Sequence, residues 1–426
     1  MTITGANGTA PTRSYDVVVV GGGAAGVAAA VGAADSGART LLIENYGVLG
    51  GAATISGVLS YCGLFCEHPP YHKAVAGVAD RVLAELYTLD AAAERLIPGN
   101  GNKFVTVDPE AVKVTLDRIV TRSGAHLLLH AQVIGAGHDG THVTSVEVAH
   151  HGGRLNIQAK AFVDASGNGD LASLAGAATQ SPEPGDPYTV ASMMMRLSGI
   201  PQDVDTSPGA VRAAMQAHVA ATGDILPKMA GIFARVPPSG DLMAILADTD
   251  GDPLDVDRLT TAEVTGRELA WTYLGAIRTH LPGGSDARLV STGPQIGIRE
   301  GRRLLGQEVI TRDDVLTARR RPDAVARCGW PMESHRVPGK VLWESIGGHS
   351  YYDIPYGALL SKTYDNLWAA GRTISADRDA FSSARVMGTA FATGQAAGVA
   401  GARWCDTARH DVDAVRSCLL HQGALL

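Results

Sequence analysis

Aromatic side chains are scarce: six Phe and eleven Tyr in 426 residues, and 5% aromatic overall. The core must therefore be built from Ala, Val, Leu and Ile. No basic run is long enough to follow a phosphate backbone, and the formal net charge is −7, so nucleic acid is not an expected partner. The apolar runs are all broken by Gly or by charges, so no membrane span is expected. Residues 1–14, "MTITGANGTAPTRS", lack the basic and apolar regions of a secretory signal and are expected to form a disordered leader. The five Cys (Cys62, Cys66, Cys328, Cys405, Cys418) are odd in number and scattered. They do not form a disulfide framework and point to a reducing cytoplasm. Gly is abundant instead, with 51 residues, as suits backbone that must approach a ligand or another helix closely. The length implies two to three domains, or one large domain with an insertion.

"YDVVVVGGGAAGVAAAVGAADSGARTLLIEN" reads as one β-α-β unit. Asp16 to Val20 reads as a strand whose β-branched run of four Val is buried on both faces. Ala24 to Ala34 is small and helix-prone, and Gly37 is placed to end the helix. The G-x-G-x-x-G glycines each have a mechanical reason. Gly21 makes the turn, Gly23 admits a pyrophosphate to the backbone at Ala25, and Gly26 lets helix and sheet pack. The helix N-terminus offers free N–H groups to phosphate. Glu44 lies 23 residues beyond Gly21, where an acid accepts from ribose hydroxyls and repels a 2′-phosphate.

The same text pattern recurs in "VIGAGHDG" at Gly135, Gly137 and Gly140. A strand, Leu127 to Ile134, precedes it, but Thr141 to His150 alternates with period two and no helix follows. Without the helix there is no phosphate site. "HDG" reads as a hairpin turn, with Gln132 and Val133 bordering an adenine. One dinucleotide is expected, not two.

Four further stretches carry a family resemblance: "GVLGGAAT" (47–54), "FVDASGNGDLASLAGA" (162–177), "STGPQIGIREGRRLLGQEVITRDDV" (291–315) and the segment Ile354 to Gly398 containing "LWAAGR". In order and spacing the chain resembles the FAD-dependent oxidoreductases related to the fumarate reductase and succinate dehydrogenase flavoproteins. The resemblance implies an α/β fold: a Rossmann-like, glutathione-reductase-type FAD-binding domain with an inserted α+β substrate domain. It places FAD against Gly50, Gly51, Ala52 and Thr54, against Ser166 and Gly167, and against Gly371 and Arg372. Met387 and Gly388, opening an Ala/Gly-rich helix over Ala384 to Ala402, would aim a dipole at the flavin. Many of those relatives carry a His before the glycine pair that bonds FAD covalently. "ENYGVLGGAAT" has none, so non-covalent FAD is expected.

The FAD domain is expected to be discontinuous, over residues 15–65, 104–180 and 345–405, with a helix capped by Asp108 and Pro109. Residues 66–103 and 181–344 are assigned to the substrate domain, with "SPEPGDPY" (181–188) as a connector and a long helix over Ala262 to Leu281. A C-terminal helix is expected over 406–426, packing on the surface or on a partner, which leaves a homo-oligomer open.

The expected chemistry is hydride transfer between a small polar organic substrate and the flavin. Dioxygen or a diffusible carrier is the electron acceptor. An FAD monooxygenase or halogenase is the first alternative, but "AAGRTISAD" stands where those carry Gly–Asp. A flavoprotein with structural FAD or an assembly-subunit role is the second. The first choice of base is His335, since the family's acidic–x–His element matches Glu333 and His335; the alternative is a structural His. Arg299, in an Arg–Glu pair, either binds an anion or pairs with Glu300 on a helix. Arg385, at a helix start that cations avoid, faces flavin or substrate. Tyr352 and His349 are candidates to line the pocket. Cys62 and Cys66 read as two core or pocket thiols more readily than as a redox pair. His68 with His72, and His150 with His151, lack a supporting ligand set, so no metal is expected.

Overall fold

In a computed structural model, described over residues 11–97, 100–182, 186–337 and 339–426, the chain builds its main layer around a seven-stranded sheet. Six strands need labels: β1 (Thr12–Val20), β2 (Thr40–Ile43), β3 (His126–Leu128), β4 (Gln132–His138), β5 (Val143–His150) and β6 (Gly153–Asp164). They lie in the order β3-β2-β1-β6-β5-β4, and a seventh strand, Leu367–Ala369, pairs with the C-terminal half of β6. Pairing is parallel from β3 to β6 and at the seventh strand, then antiparallel through β5 and β4. The run of Val17 to Val20 is buried on both faces, as a central parallel strand requires.

Helix α1 (Ala24–Asp35) is buried from Ala24 to Ala33. It packs on the sheet beside a second small-residue helix, Met387–Thr407, which also contacts the sheet. The contact is backbone on backbone. A Cβ on Gly394 would stand 2.1 Å from the Ala25 carbonyl oxygen, and one on Gly398 2.0 Å from that of Ala29. Only glycine permits this approach. The helix Pro109–Arg122 forms as its sequence demands, with the Asp108 carboxylate accepting from the N–H groups of Glu110 and Ala111.

A separate core gathers side chains between Ala191 and Ile298. Its antiparallel sheet runs Phe233–Arg235, Leu242–Thr249, Ala191–Ser198, Arg288–Thr292. The helices Pro208–Thr222 and Val256–His280 pack with it. The long helix starts earlier than expected because Asp255 caps it.

The structure corrects several sequence expectations. Residues 66–103 do not join this second core: Val78, Val82 and Leu86 pack in the main one, and Gln395 Oε1 accepts from the Val78 N–H at 3.1 Å. Residues 324–332 also belong to the main core, because Ala324–Cys328 pairs with Tyr352–Pro355. The expected leader is strand from Thr12 onward, paired with Asn156 to Gln158 of β6; residues 1–10 lie outside the described residues, as do 183–185 of the connector. The single strand expected over Leu127 to Ile134 is two. After β3 the chain turns at His130 (φ 53°), where the N–H groups of His130 and Ala131 donate to the carbonyls of Tyr46 and Glu44. This crossing carries residues 131–134 over the end of β2. Gly135 and Gly137 sit inside β4, opposite Glu147 and Ser145. Gly140 (φ 110°) lies in the hairpin that joins β4 to β5, and no helix follows. The tail folds as the helix Val412–His421, with Val415 and Leu419 buried in the main core. No helix among the described residues is long and apolar enough to cross a membrane.

Candidate active site

A cleft of about 740 Å³ opens along the C-terminal ends of the parallel strands, the place where ligands bind open α/β sheets and within the ~300–1,000 Å³ usual for cofactor sites. Its walls gather segments far apart in sequence: Gly21 to Ala25, Ile43 to Tyr46, Gly50 to Ala52, Ala131 to Ile134, Ala165 to Asn168, and Ala370 to Arg372. Met387 and Arg385 line it as well.

The two glycine turns meet at its floor. Gly22 O accepts from the Gly50 N–H at 2.9 Å, and Gly23 forms a β-bridge with Gly50. A Cβ on Gly23 would meet only Gly51 within 4 Å, so a side chain there would occupy cleft and not core. The helices α1 and Met387–Thr407 both start here, with no side-chain cap and no acid in the first turn. At α1 this leaves the first N–H groups available to an anion, whereas in the second helix the Gly388 N–H already donates to Cys62 O at 2.8 Å. Glu44 is buried at the end of β2. Its Oε2 accepts from the Gly22 N–H at 2.5 Å and its Oε1 from the Tyr46 N–H at 2.8 Å. Burial raises its carboxyl above the ordinary range, while those N–H groups pull it back. A carboxylate so held keeps lone pairs for ribose hydroxyls.

Of the expected cofactor residues, Gly21, Gly23, Ala25, Glu44, Gly50, Gly51, Ala52, Gln132, Val133, Ser166, Gly167, Gly371, Arg372 and Met387 all line the cleft. Three do not. Gly26 packs behind the first turn, where a Cβ would stand 1.7 Å from Gly21 O. The Thr54 hydroxyl donates to Leu49 O at 2.7 Å and braces the second turn from inside. Gly388 abuts the Cys62–Leu64 backbone. Arg372 is a tie as well as a wall: it donates to Gly167 O, Asn168 Oδ1 and Ile298 O. Asp164, passed over in the sequence, shapes the turn presenting Ser166 and Gly167. Its Oδ1 accepts from the Ser166 N–H and hydroxyl, and its Oδ2 from the Ala172 N–H.

Next to Arg385 lies a buried charged cluster. His335 Nε2 is 2.8 Å from Glu333 Oε1. Trp330 Nε1–H donates to Glu333 Oε2 at 3.1 Å, and Arg385 donates to Glu333 O at 3.1 Å. Burial and the cations Arg299 and Arg385 lower the His335 pKa to about 4. Although burial opposes it, the charges and hydrogen bonds from His335, Arg385 and Trp330 hold Glu333 down at about 2. Near neutrality the pair is thus a neutral imidazole on a carboxylate. Nε2 then carries the proton, and Nδ1, which has no hydrogen-bond partner among the described residues, is an acceptor.

Arg299 donates to Val190 O and, at 2.9 Å, to Ser192 Oγ. Ser192 donates to Asp248 Oδ1 at 2.6 Å, and Asp248 pairs with buried Lys228 at 3.2 Å. Nothing in "PKMAG" announces Lys228; the pairing of Ser192 with Asp248 across two strands makes this chain. Arg299 does not pair with Glu300 on a helix: no helix forms there, and Glu300 bonds to Arg303, Arg378 and Thr189. Tyr352 is absent from the cleft wall. Its pairing opposite Cys328 buries it completely, with its hydroxyl 3.0 Å from Ser383 Oγ. It supports the Trp330 segment from behind, since Ser383 also donates to Trp330 O at 2.5 Å. His349 is exposed and lies beside His68, away from the cleft wall. Cys62 and Cys66 are free thiols, and burial raises them to about 12 and about 11.

A flavin-linked oxidoreductase is the class this cleft and fold define. Residues 16–419 match the FAD dependent oxidoreductase family, and the chain belongs to it. It is an enzyme, and FAD is its cofactor. Short stretches resemble the NADH:fumarate oxidoreductase of Klebsiella pneumoniae (strain 342), 35% identical over 115 residues, which is 27% of this chain and 12% of that protein. The fumarate reductase (cytochrome) of Shewanella frigidimarina is 52% identical over 48 residues, 11% of this chain and 8% of that protein. The matched stretches are thus a small part of those relatives' lengths. Two solved structures share the fold along nearly the whole chain. One is p-nitrophenol 4-monooxygenase from Pseudomonas putida DLL-E4, at TM-score 0.52 and 12% identity, covering 97% of this chain and 85% of that one. The other is a geranylgeranyl bacteriochlorophyll reductase-like protein from Thermoplasma acidophilum, at TM-score 0.50 and 14% identity, covering 96% and 83%.

The residues present fit FAD. The glycine turns would leave room for the pyrophosphate, the α1 N-terminus would face it, and Glu44 would take the adenosine ribose. Replacing Glu44 by Ala is expected to weaken FAD binding roughly tenfold or more, the scale of a lost hydrogen bond to a charged group. Fluorescence titration of the apoprotein measures it; unchanged affinity would remove Glu44 from the ribose.

Proposed function

We propose that this chain is a dehydrogenase or oxidase that holds FAD non-covalently and oxidises a small polar organic substrate bearing an anionic group. One observation carries the reading: the Glu333–His335 pair stands one hydrogen bond from Arg385, which lines the cleft. Bound FAD supplies a two-electron acceptor that takes a hydride at N5. His335 Nδ1 removes the substrate's proton, and Glu333 holds the ring and stabilises the imidazolium that forms. Arg385 and Arg299 orient the anionic group, their half-buried guanidiniums matching a carboxylate's planar fork. Asp377, in the stretch compared with the Gly–Asp of monooxygenases and halogenases, is committed to structure. It accepts from the N–H groups of Asp379, Ala380 and Arg312. With one dinucleotide site, electrons leave to dioxygen or a diffusible carrier.

Anaerobic mixing of the FAD-loaded enzyme with alcohols, amines, hydroxy acids and sugars tests the reading. Bleaching of the flavin by members carrying a carboxylate is expected. A flavin that no member reduces, but that NADPH reduces, would favour the monooxygenase alternative.

A further inference from the structure

Glu67, His68 and His349 meet on the surface, far apart in sequence and outside the flavin cleft. One ligand-capable atom of each lies within 4.8 Å of the other two. The two imidazoles stand edge to face, 4.4 Å between centroids and 88° between planes. The Glu67 carboxylate is buried and fixed, its Oε2 accepting from the Ile346 N–H at 2.9 Å. Oε1 has no hydrogen-bond partner, and no Lys or Arg pairs with the carboxylate, among the described residues. Both histidines hold left-handed backbone, φ 58° at His68 and 51° at His349. Such conformations are uncommon for residues other than glycine and gather at ligand clamps.

We propose that these three residues bind a divalent transition-metal ion of the zinc type. Two imidazole nitrogens and one carboxylate oxygen form a borderline N/O set that suits zinc and not the all-oxygen shells of magnesium or calcium. Tetrahedral ligands at the usual bond lengths stand about 3.3 Å apart. The exposed imidazoles, with His349 54% exposed, turn inward onto the fixed carboxylate to close the remaining distance. Water completes the coordination. Bound there, the ion ties the loop after Cys66 to the turn at residues 346–349, independently of the cleft. His72, the sequence neighbour first considered beside His68, is not among the three.

The test is calorimetric titration of chelator-treated, FAD-loaded protein with ZnCl2, and a parallel Co2+ titration read by visible absorption. One Zn2+ per chain and a Co2+ spectrum of reduced coordination number are expected. His68→Gln and His349→Gln should each weaken Zn2+ binding at least tenfold, with flavin content unchanged. His72→Gln should bind as the parent does. Failure of the parent protein to bind Zn2+ would overturn the proposal. So would full-strength binding by the double variant His68→Gln/His349→Gln, which would place the ion elsewhere, for instance on a thiol.

Discussion

His335→Asn is expected to lower kcat by roughly 10²–10⁴-fold, the range for losing a positioned general base, while FAD occupancy stays at the parent level. The side chain is buried, 2.8 Å from the Glu333 carboxylate, and is not part of the cleft wall that holds the cofactor. Stopped-flow measurement of flavin reduction separates the two readouts. Loss of flavin together with rate would make His335 structural, as would an unchanged rate. The pH profile gives a second signature. The His335 pKa is lowered to about 4, so the neutral base is already present throughout the range from pH 5 to 7. The acid limb of the parent rate should fall near pH 4 and not near 6.5. The same shift has a stability consequence of defined sign. The folded chain favours neutral His335, so its contribution is complete above the unfolded value of 6.5 and is lost as pH drops toward 4.

Gly26→Ala is expected to abolish FAD retention and to destabilise the chain by at least about 3 kcal/mol, the upper end for overpacking. The added methyl would stand 1.7 Å from Gly21 O and 2.8 Å from Gly21 C. Both are backbone atoms of the glycine turn proposed to face the pyrophosphate, so relief requires opening that turn or tilting α1. Gly37→Ala is the control for backbone freedom without a clash, because a Cβ there meets nothing within 4 Å, although φ is +89°. Flavin content after purification and thermal unfolding of both variants decide the matter. A Gly26→Ala protein that retains its flavin and its melting temperature would contradict the packing account.

What could be read from the sequence was local. The β-α-β unit is written in consecutive residues, with strand, glycines, helix and acid all within Asp16 to Glu44. The absence of a helix after Gly140 is equally local, and it separates a phosphate-binding turn from a hairpin with the same spelling. The helix capped by Asp108 follows from its own cap and stripe. Partners across the fold were harder. The apolar stripe of Val78, Val82 and Leu86 announces a buried face but not which core receives it. Tyr352 looks like a pocket residue beside "GGHS" until its pairing with Cys328 turns it inward. Arg299 and Glu300, adjacent in sequence, reach different partners, Ser192 for one and Arg303, Arg378 and Thr189 for the other, because no helix forms there to pair them. Lys228, in a loop, acquires meaning only through Asp248 on the strand Leu242–Thr249. The histidine pairing His68–His349 depends on contact between two loops that no periodicity encodes.

The central claim is a single, non-covalently held FAD in a single dinucleotide cleft. Acid precipitation of the purified protein, followed by chromatography of supernatant and pellet, tests it most directly. One FAD per chain, released wholly into the supernatant, is the expected result. Flavin retained covalently in the pellet, or a second nucleotide released in equal amount, would contradict it.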